Sequence, residues 1–172
     1  MKQPLLLACL VGMLAVGAPA RADNAEEYHV KAGILFNFIA FTEWPAAIGN
    51  TLNVCVYGQD PFGADLDKLQ GRQVTGRTLT ARRMNSVEGL GDCHIVFISR
   101  SAAPNLPRAL DRTNGKPVLT VADSAGAAQQ GVALNMVMAQ NKVAFEANVA
   151  AARANGLNLS SKLLRLATEV FQ

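Results

Sequence analysis

Residues 93–98 read CHIVFI, and the last four, Ile95-Val96-Phe97-Ile98, contain no polar side chain. Successive side chains of a strand point to opposite faces, so a run this apolar must be covered on both sides. Working outward, short β-branched runs at residues 52–57, 77–82 and 117–121 read as further strands. Between them, residues 61–70 and 105–112 read as helices. Ahead of them, residues 24–43 form one helix, because Tyr28, Ala32, Leu35 and Ile39 recur at spacings of four, three and four. Downstream, residues 132–138 and 142–146 are separated by a short Gln140-Asn141 turn and predict an antiparallel hairpin at one edge of the sheet. A helix over 149–154, stopped by Asn155-Gly156, and a last helix over 161–170, capped by Ser160, complete the chain. The expected fold is α/β: a single-domain three-layer sandwich, with a mainly parallel sheet, helices on both faces and a C-terminal antiparallel hairpin.

The chain has 172 residues, half of them hydrophobic, which suits one well-buried domain. Part of that apolar excess lies at the start. Lys2 gives a charged beginning, residues 5–16 are apolar, and Ala18-Pro19-Ala20 and Ala20-Arg21-Ala22 offer two small-x-small sites. Residues 1–22 are therefore expected to be a secretory signal peptide, cleaved after Ala20 or Ala22, and residues 23–172 the exported mature domain. The apolar run is shorter than the roughly 20 residues a membrane span needs. Removing 1–22 takes Lys2 and Arg21 from the 16 basic residues and nothing from the 13 acidic ones, which leaves about +1. The densest basic pair is Arg82-Arg83, so no nucleic-acid partner is expected.

Past the leader, Cys55 and Cys93 are the remaining cysteines. An even count in an oxidising compartment favours a disulfide, the other reading being two buried thiols. The loop 58–63, GQDPFG, follows the first sheet strand, where open α/β sheets often bind ligands, so Asp60 and Phe62 are candidate ligand-loop residues. Against this, Asp60 suits an ordinary N-cap and Pro61 an ordinary first helical residue. His29 and His94 have no second ligand at metal spacing, and no catalytic arrangement stands out. Glu43, Asp123 and Glu146 read as isolated, solvated carboxylates. Nothing in the sequence calls for a cofactor. The stretch LFNFIAFTEWP, residues 35–45, is apolar nearly all round its helix, so either the domain covers both faces or one is left for a partner.

Several blocks together resemble the YfiR family of periplasmic proteins. They are YHVKAGILFNF at 28–38, FTEWP at 41–45, VYGQDPFG at 56–63, Gly76-Arg77, CHIVFI at 93–98, VLTVAD at 118–123, NKVAFEAN at 141–148 and SKLLRLA at 161–167. The resemblance implies an α/β sandwich in the periplasm that acts by binding, not catalysis. Family members of the best-known type repress a membrane diguanylate cyclase by contacting its periplasmic sensor domain, which lowers cyclic di-GMP and biofilm formation. An OmpA-like outer-membrane lipoprotein can sequester the repressor, and a homodimer is allowed. Cys55 and Cys93 match the family's structural disulfide pair, while a second, downstream pair is missing here. Phe41, Trp44 and Pro45, at the helix exit, or the C-terminal helix, are the expected docking surface. The alternative is a small-ligand sensing or solute-binding domain with its cleft by Asp60 and Phe62.

Overall fold

The structure is a computed structural model that describes residues 20–172, with side chains from residue 24 onward. The body of the expected leader lies outside the described residues.

Helix α1 (Ala20–Ala40) buries a stripe made of Tyr28, Lys31, Ala32, Leu35, Phe38 and Ile39. Asn37 and Gly33 lie exposed on its other side, and Ile34, Phe36 and Ala40 are half-buried. The helix is thus one-sided, with core below and a partly open flank. It stops three residues before the expected position 43 for a local reason. Thr42 Oγ1 donates to the Phe38 carbonyl at 2.7 Å, and Trp44 Nε1 donates to the Ile39 carbonyl at 3.1 Å. These side chains satisfy carbonyls that the last turn leaves open. The freed chain forms β1 (Thr42–Glu43).

The main sheet begins with β2 (Thr51–Tyr57). The helix expected over 61–70 shrinks to α2 (Ala64–Asp67), because Asp60 Oδ1 accepts from Phe62 N in a tight turn and Gly63 has φ +54°. A hairpin missed in the sequence follows: β3 (Gln73–Val74) and β4 (Arg77–Met84) join through Thr75 and Gly76, at φ +47° and +79°. Then come β5 (Ile95–Ile98), a 3₁₀ segment (Arg100–Asn105), α3 (Leu106–Thr113) and β6 (Leu119–Ala122). The predicted hairpin is β7 (Leu134–Ala139) and β8 (Lys142–Asn148), turning at Gln140 and Asn141 with φ +49° and +59°. Helix α4 (Val149–Ala154) starts where Asn148 accepts from Ala151 N. β9 (Asn158–Leu159) pairs antiparallel with β1, apart from the main sheet.

The last expected helix, over 161–170, is corrected. Ser160 does cap it, accepting from Leu163 N, but α5 spans only Ser161–Leu164. Thr168 then donates twice to the Phe145 carbonyl, from N at 2.8 Å and from Oγ1 at 3.0 Å. This clamps the chain onto β8 as a parallel strand, β10 (Glu169–Phe171). The hairpin is therefore not the sheet edge.

Strand order is β10-β8-β7-β6-β5-β2-β4-β3, and β4, β2, β5, β6 and β7 run parallel. The alternation read from IVFI is what the core shows. Ile95 and Phe97 join Val54, Val56 and Leu119 under α1, while Val96 and Ile98 join Cys55 and Tyr57 on the α3 face. Each such buried side chain contributes about 1.5–3 kcal/mol relative to exposure.

Candidate functional site

The chain passes from β2 to β4 on one side and then places β5 on the other. The direction of winding reverses there, and such a crevice at the strand C-termini is the usual ligand position in open α/β sheets. Here the protein's own side chains fill it. Gly58, at φ +93°, lies so close to the next loop that a Cβ would stand 2.5 Å from Ser99 Oγ and 2.7 Å from Ser101 Oγ. Ser101 Oγ accepts from Gln59 N at 2.8 Å, tying the two loops together. Phe62 is buried between Tyr28 and Phe97, edge-on to both, with centroids 5.6 and 4.7 Å away. Asp60 Oδ2 is held by Arg83 Nε at 2.8 Å, and the same guanidinium reaches Asp67 and the Gly63 carbonyl. The loop candidates Asp60 and Phe62 thus serve local structure, and neither lines the grooves described below.

Beside this crevice lies a buried ionic cluster. Asp123, at the end of β6, accepts at one oxygen, Oδ2, from Tyr28 OH at 2.6 Å and Lys31 Nζ at 2.7 Å, with Arg100 Nε 3.3 Å away. Its Oδ1 is buried and accepts no hydrogen bond among the described residues. Glu27, one turn before Lys31, pairs with Lys31 and with Arg100 Nη2. Burial acts to raise the Glu27 carboxyl pKa, but the hydrogen bonds and charges of Lys31 and Arg100 outweigh it and hold it below its ordinary value. Burial, and then the hydrogen bond to Asp123, push the Tyr28 hydroxyl well above its ordinary value. The cluster rivets the N-terminal half of α1 to the strand ends. Sequence reasoning missed it and took Asp123 for a solvated carboxylate. One signal was present: Lys31 sits on the same helical stripe as Tyr28, Ala32 and Leu35, where a lysine has to find a buried partner.

Cys55 and Cys93 are bonded, with Cα atoms 6.1 Å apart. Cys93 precedes β5 instead of lying in it, closing a 3₁₀ turn (Leu90–Asp92), and Leu90 of that turn and Val87 of the loop before it pack on the sulfur-bearing face. His94 Nδ1 accepts from Asn53 N at 3.0 Å, a structural role. Among the described residues no group of three or more His, Cys, Asp and Glu comes together as metal ligands, and no helix is long and apolar enough to cross a membrane.

The helix exit is an open surface. A groove of about 550 Å³ is lined by Phe41, Glu43, Trp44, Thr75, Arg77 and Lys162, among others. Pro45 is half-exposed at its end of the loop. The β1–β9 pairing and a bond from Ser160 N to the Phe41 carbonyl bring the α5 turn alongside, so the helix exit and the C-terminal segment form one surface. Leu166, one turn beyond Lys162, is 71% exposed, and Phe41 is 38% exposed. A second groove, of about 670 Å³, runs between α1 and the β7–β8 hairpin, lined by Glu26, Glu27, Val30, Met138, Asn141, Lys142 and Val143.

These features define a doubly wound α/β domain whose customary ligand crevice is closed and whose exposed Val30, Phe41 and Met138 border surface grooves. The chain belongs to the YfiR/HmsC-like family, whose family model matches residues 28–168. No curated protein matches the sequence significantly. Among solved structures it is similar to an ABC domain from Streptococcus pneumoniae in complex with L-Trp (TM-score 0.53, 10% identity, covering 84% of this chain and 60% of that one). It is equally similar to a conserved domain protein from Vibrio cholerae O1 biovar El Tor (TM-score 0.53, 10% identity, 83% of this chain and 60% of that one). At this identity the likeness concerns the fold alone, and the chain spans 60% of the length of either structure.

Proposed function

We propose that the protein is a periplasmic regulatory binding protein that represses an inner-membrane diguanylate cyclase by contacting its periplasmic domain, lowering cyclic di-GMP and biofilm formation. Membership of the YfiR/HmsC-like family over residues 28–168 carries this reading. The apolar leader in residues 1–22 and the Cys55–Cys93 bond suit an exported, oxidising setting. Docking is through the joint surface of Phe41, Trp44, Pro45 and the α5 turn, where an apolar centre is flanked by Arg77 and Lys162. An OmpA-like outer-membrane lipoprotein that sequesters the protein would relieve repression.

The alternative, small-ligand sensing at Asp60 and Phe62, has weaker support, because Phe62 is buried in the core and Asp60 is engaged by Arg83. Deleting the gene is expected to raise cellular cyclic di-GMP, and the purified protein to capture a cyclase periplasmic domain. Unchanged nucleotide levels together with no captured cyclase would overturn the proposal.

A further inference from the structure

A cavity of about 310 Å³ opens between the last turns of α3 and α4, beside β6. Its floor is polar: of the eight buried polar or charged residues among those described, three, Thr113, Thr120 and Asn155, line it. Buried polar groups are ordinarily satisfied by the fold, and these are satisfied only in part. Thr120 Oγ1 accepts from Ala133 N at 2.9 Å, while its own proton meets no acceptor among the described residues. Thr113 Oγ1 donates to the Ala109 and Leu110 carbonyls and keeps its lone pairs free. Asn155 donates one amide proton to the Val118 carbonyl and accepts from Gly115 N, which leaves its second amide proton. Spare donors beside a spare acceptor match hydroxyl groups, which both give and take a hydrogen bond.

The rim carries one sign of charge. Asp111 is the one charged residue that lines the cavity, and it forms no ion pair among the described residues. Thr113 ends α3 and Ala154 ends α4, and both line the cavity, so the negative ends of two helix dipoles meet there. Arg112 and Arg153 lie in the same last turns but do not line it. We propose that this cavity binds a small hydroxylated primary amine, of amino-alcohol or amino-sugar size, with its ammonium group at Asp111 and its hydroxyls on Thr120 and Asn155.

The rim opposes an anion, and an apolar ligand would displace water from the floor without replacing its hydrogen bonds. The volume stands at the small end of the roughly 300–1,000 Å³ usual for ligand sites, so the ligand is no larger than a single sugar ring. The walls are set in advance, because Asn155 fastens α4 both to the turn after α3 and to the chain entering β6. Little ordering is therefore required on binding, and an exposed ion pair with a few hydrogen bonds gives millimolar affinity. The cavity shares no lining residue with the exit groove, so it is a site separate from the docking surface.

Calorimetric titration of the protein purified from the periplasm of an expressing host tests this. The probes are glucosamine and ethanolamine below about pH 7, where the amine is charged, each beside its amine-free counterpart, glucose or ethylene glycol. At least one amine should bind about tenfold or more tightly than its counterpart. Asp111→Asn should weaken that amine by roughly tenfold and leave the counterpart unchanged. Ala154→Trp, at an exposed position on the rim, should abolish binding with melting of the free protein unchanged. If that variant melts lower, Gln130→Trp blocks the mouth from another wall and decides instead. No saturable binding of either amine up to about 50 mM overturns the proposal. So does binding that survives the blocking variant, or a counterpart that binds as tightly as its amine.

Discussion

Lys31 and Asp123 stand 92 positions apart in the chain and meet at 2.7 Å, Nζ to Oδ2, with side chains 1% and 0% exposed. This contact joins α1 to the end of β6, and through Glu27 and Arg100 it extends to the loop after β5. Desolvating two charges is costly, and the pair is stable only because each ion has several partners. Removing one partner strands the other in the interior. Asp123→Ala or Lys31→Ala should lower unfolding stability by about 3–5 kcal/mol in urea titrations. Replacing both together, by Lys31→Met and Asp123→Leu, should cost clearly less than the sum of the single changes. Additive losses would show that the two side chains do not act as a pair.

The pH profile should carry the same cluster's mark at both ends. Glu27 has its folded pKa depressed below 4.5, so its contribution is present above that value and lost as pH falls through the lowered one. Tyr28 has its folded pKa raised above 10.0, so its contribution is present below pH 10 and lost as the solution becomes more alkaline. Chemical denaturation across pH should show declines in both limbs, with Glu27→Gln flattening the acid limb and Tyr28→Phe the alkaline one.

The Cys55–Cys93 bond closes a separation of 38 residues, and its loss should cost about 4 kcal/mol on the chain-entropy account. Both cysteines are buried, so thiol labelling of the native protein under mild reductant should be slow. Labelling should become fast only in denaturant. Rapid labelling of the folded protein would instead make the bond accessible to redox control.

Trp44 does two things, so its truncation is a poor test of docking by itself. Its Nε1 closes the end of α1 at the Ile39 carbonyl while the residue also lines the exit groove. Trp44→Ala should therefore cost about 1–3 kcal/mol of stability as well as any affinity. Phe41→Asp and Leu166→Asp alter only exposed side chains, and should change melting little while abolishing capture of a cyclase periplasmic domain. Full repression by both variants would move the docking surface elsewhere.

Gly58 offers a test of the closed crevice. With φ at +93° and two serine oxygens inside the space of a Cβ, Gly58→Ala should destabilise the fold by more than the ~1 kcal/mol of an ordinary glycine change. A neutral effect on melting would mean that the β2 and β5 loops part easily, leaving room for a ligand.

The sequence by itself determined the fold class and the six inner strands of the sheet. The apolar run IVFI, buried on both faces, the Gln140-Asn141 turn and the cap at Ser160 are local signals, fixed by steric preference and side-chain reach over a few residues. The family blocks likewise lie in plain view from residue 28 to residue 167. Where local signals competed with distant hydrogen bonds, the distant ones won. Residues 165–170 have helical character, yet Thr168 bonds to Phe145 and residues 169–171 become a strand. Residues 42–43 leave α1 because β9 and the Trp44 indole take up the backbone. Above all, only tertiary structure decided that Asp123 is a buried anchor and not a solvated carboxylate, and that the helix exit and the α5 turn form a single surface. Each of those facts depends on groups dozens of positions apart arriving at one point. No window of sequence encodes that meeting, because the field and the packing that fix it exist only once the sheet has formed.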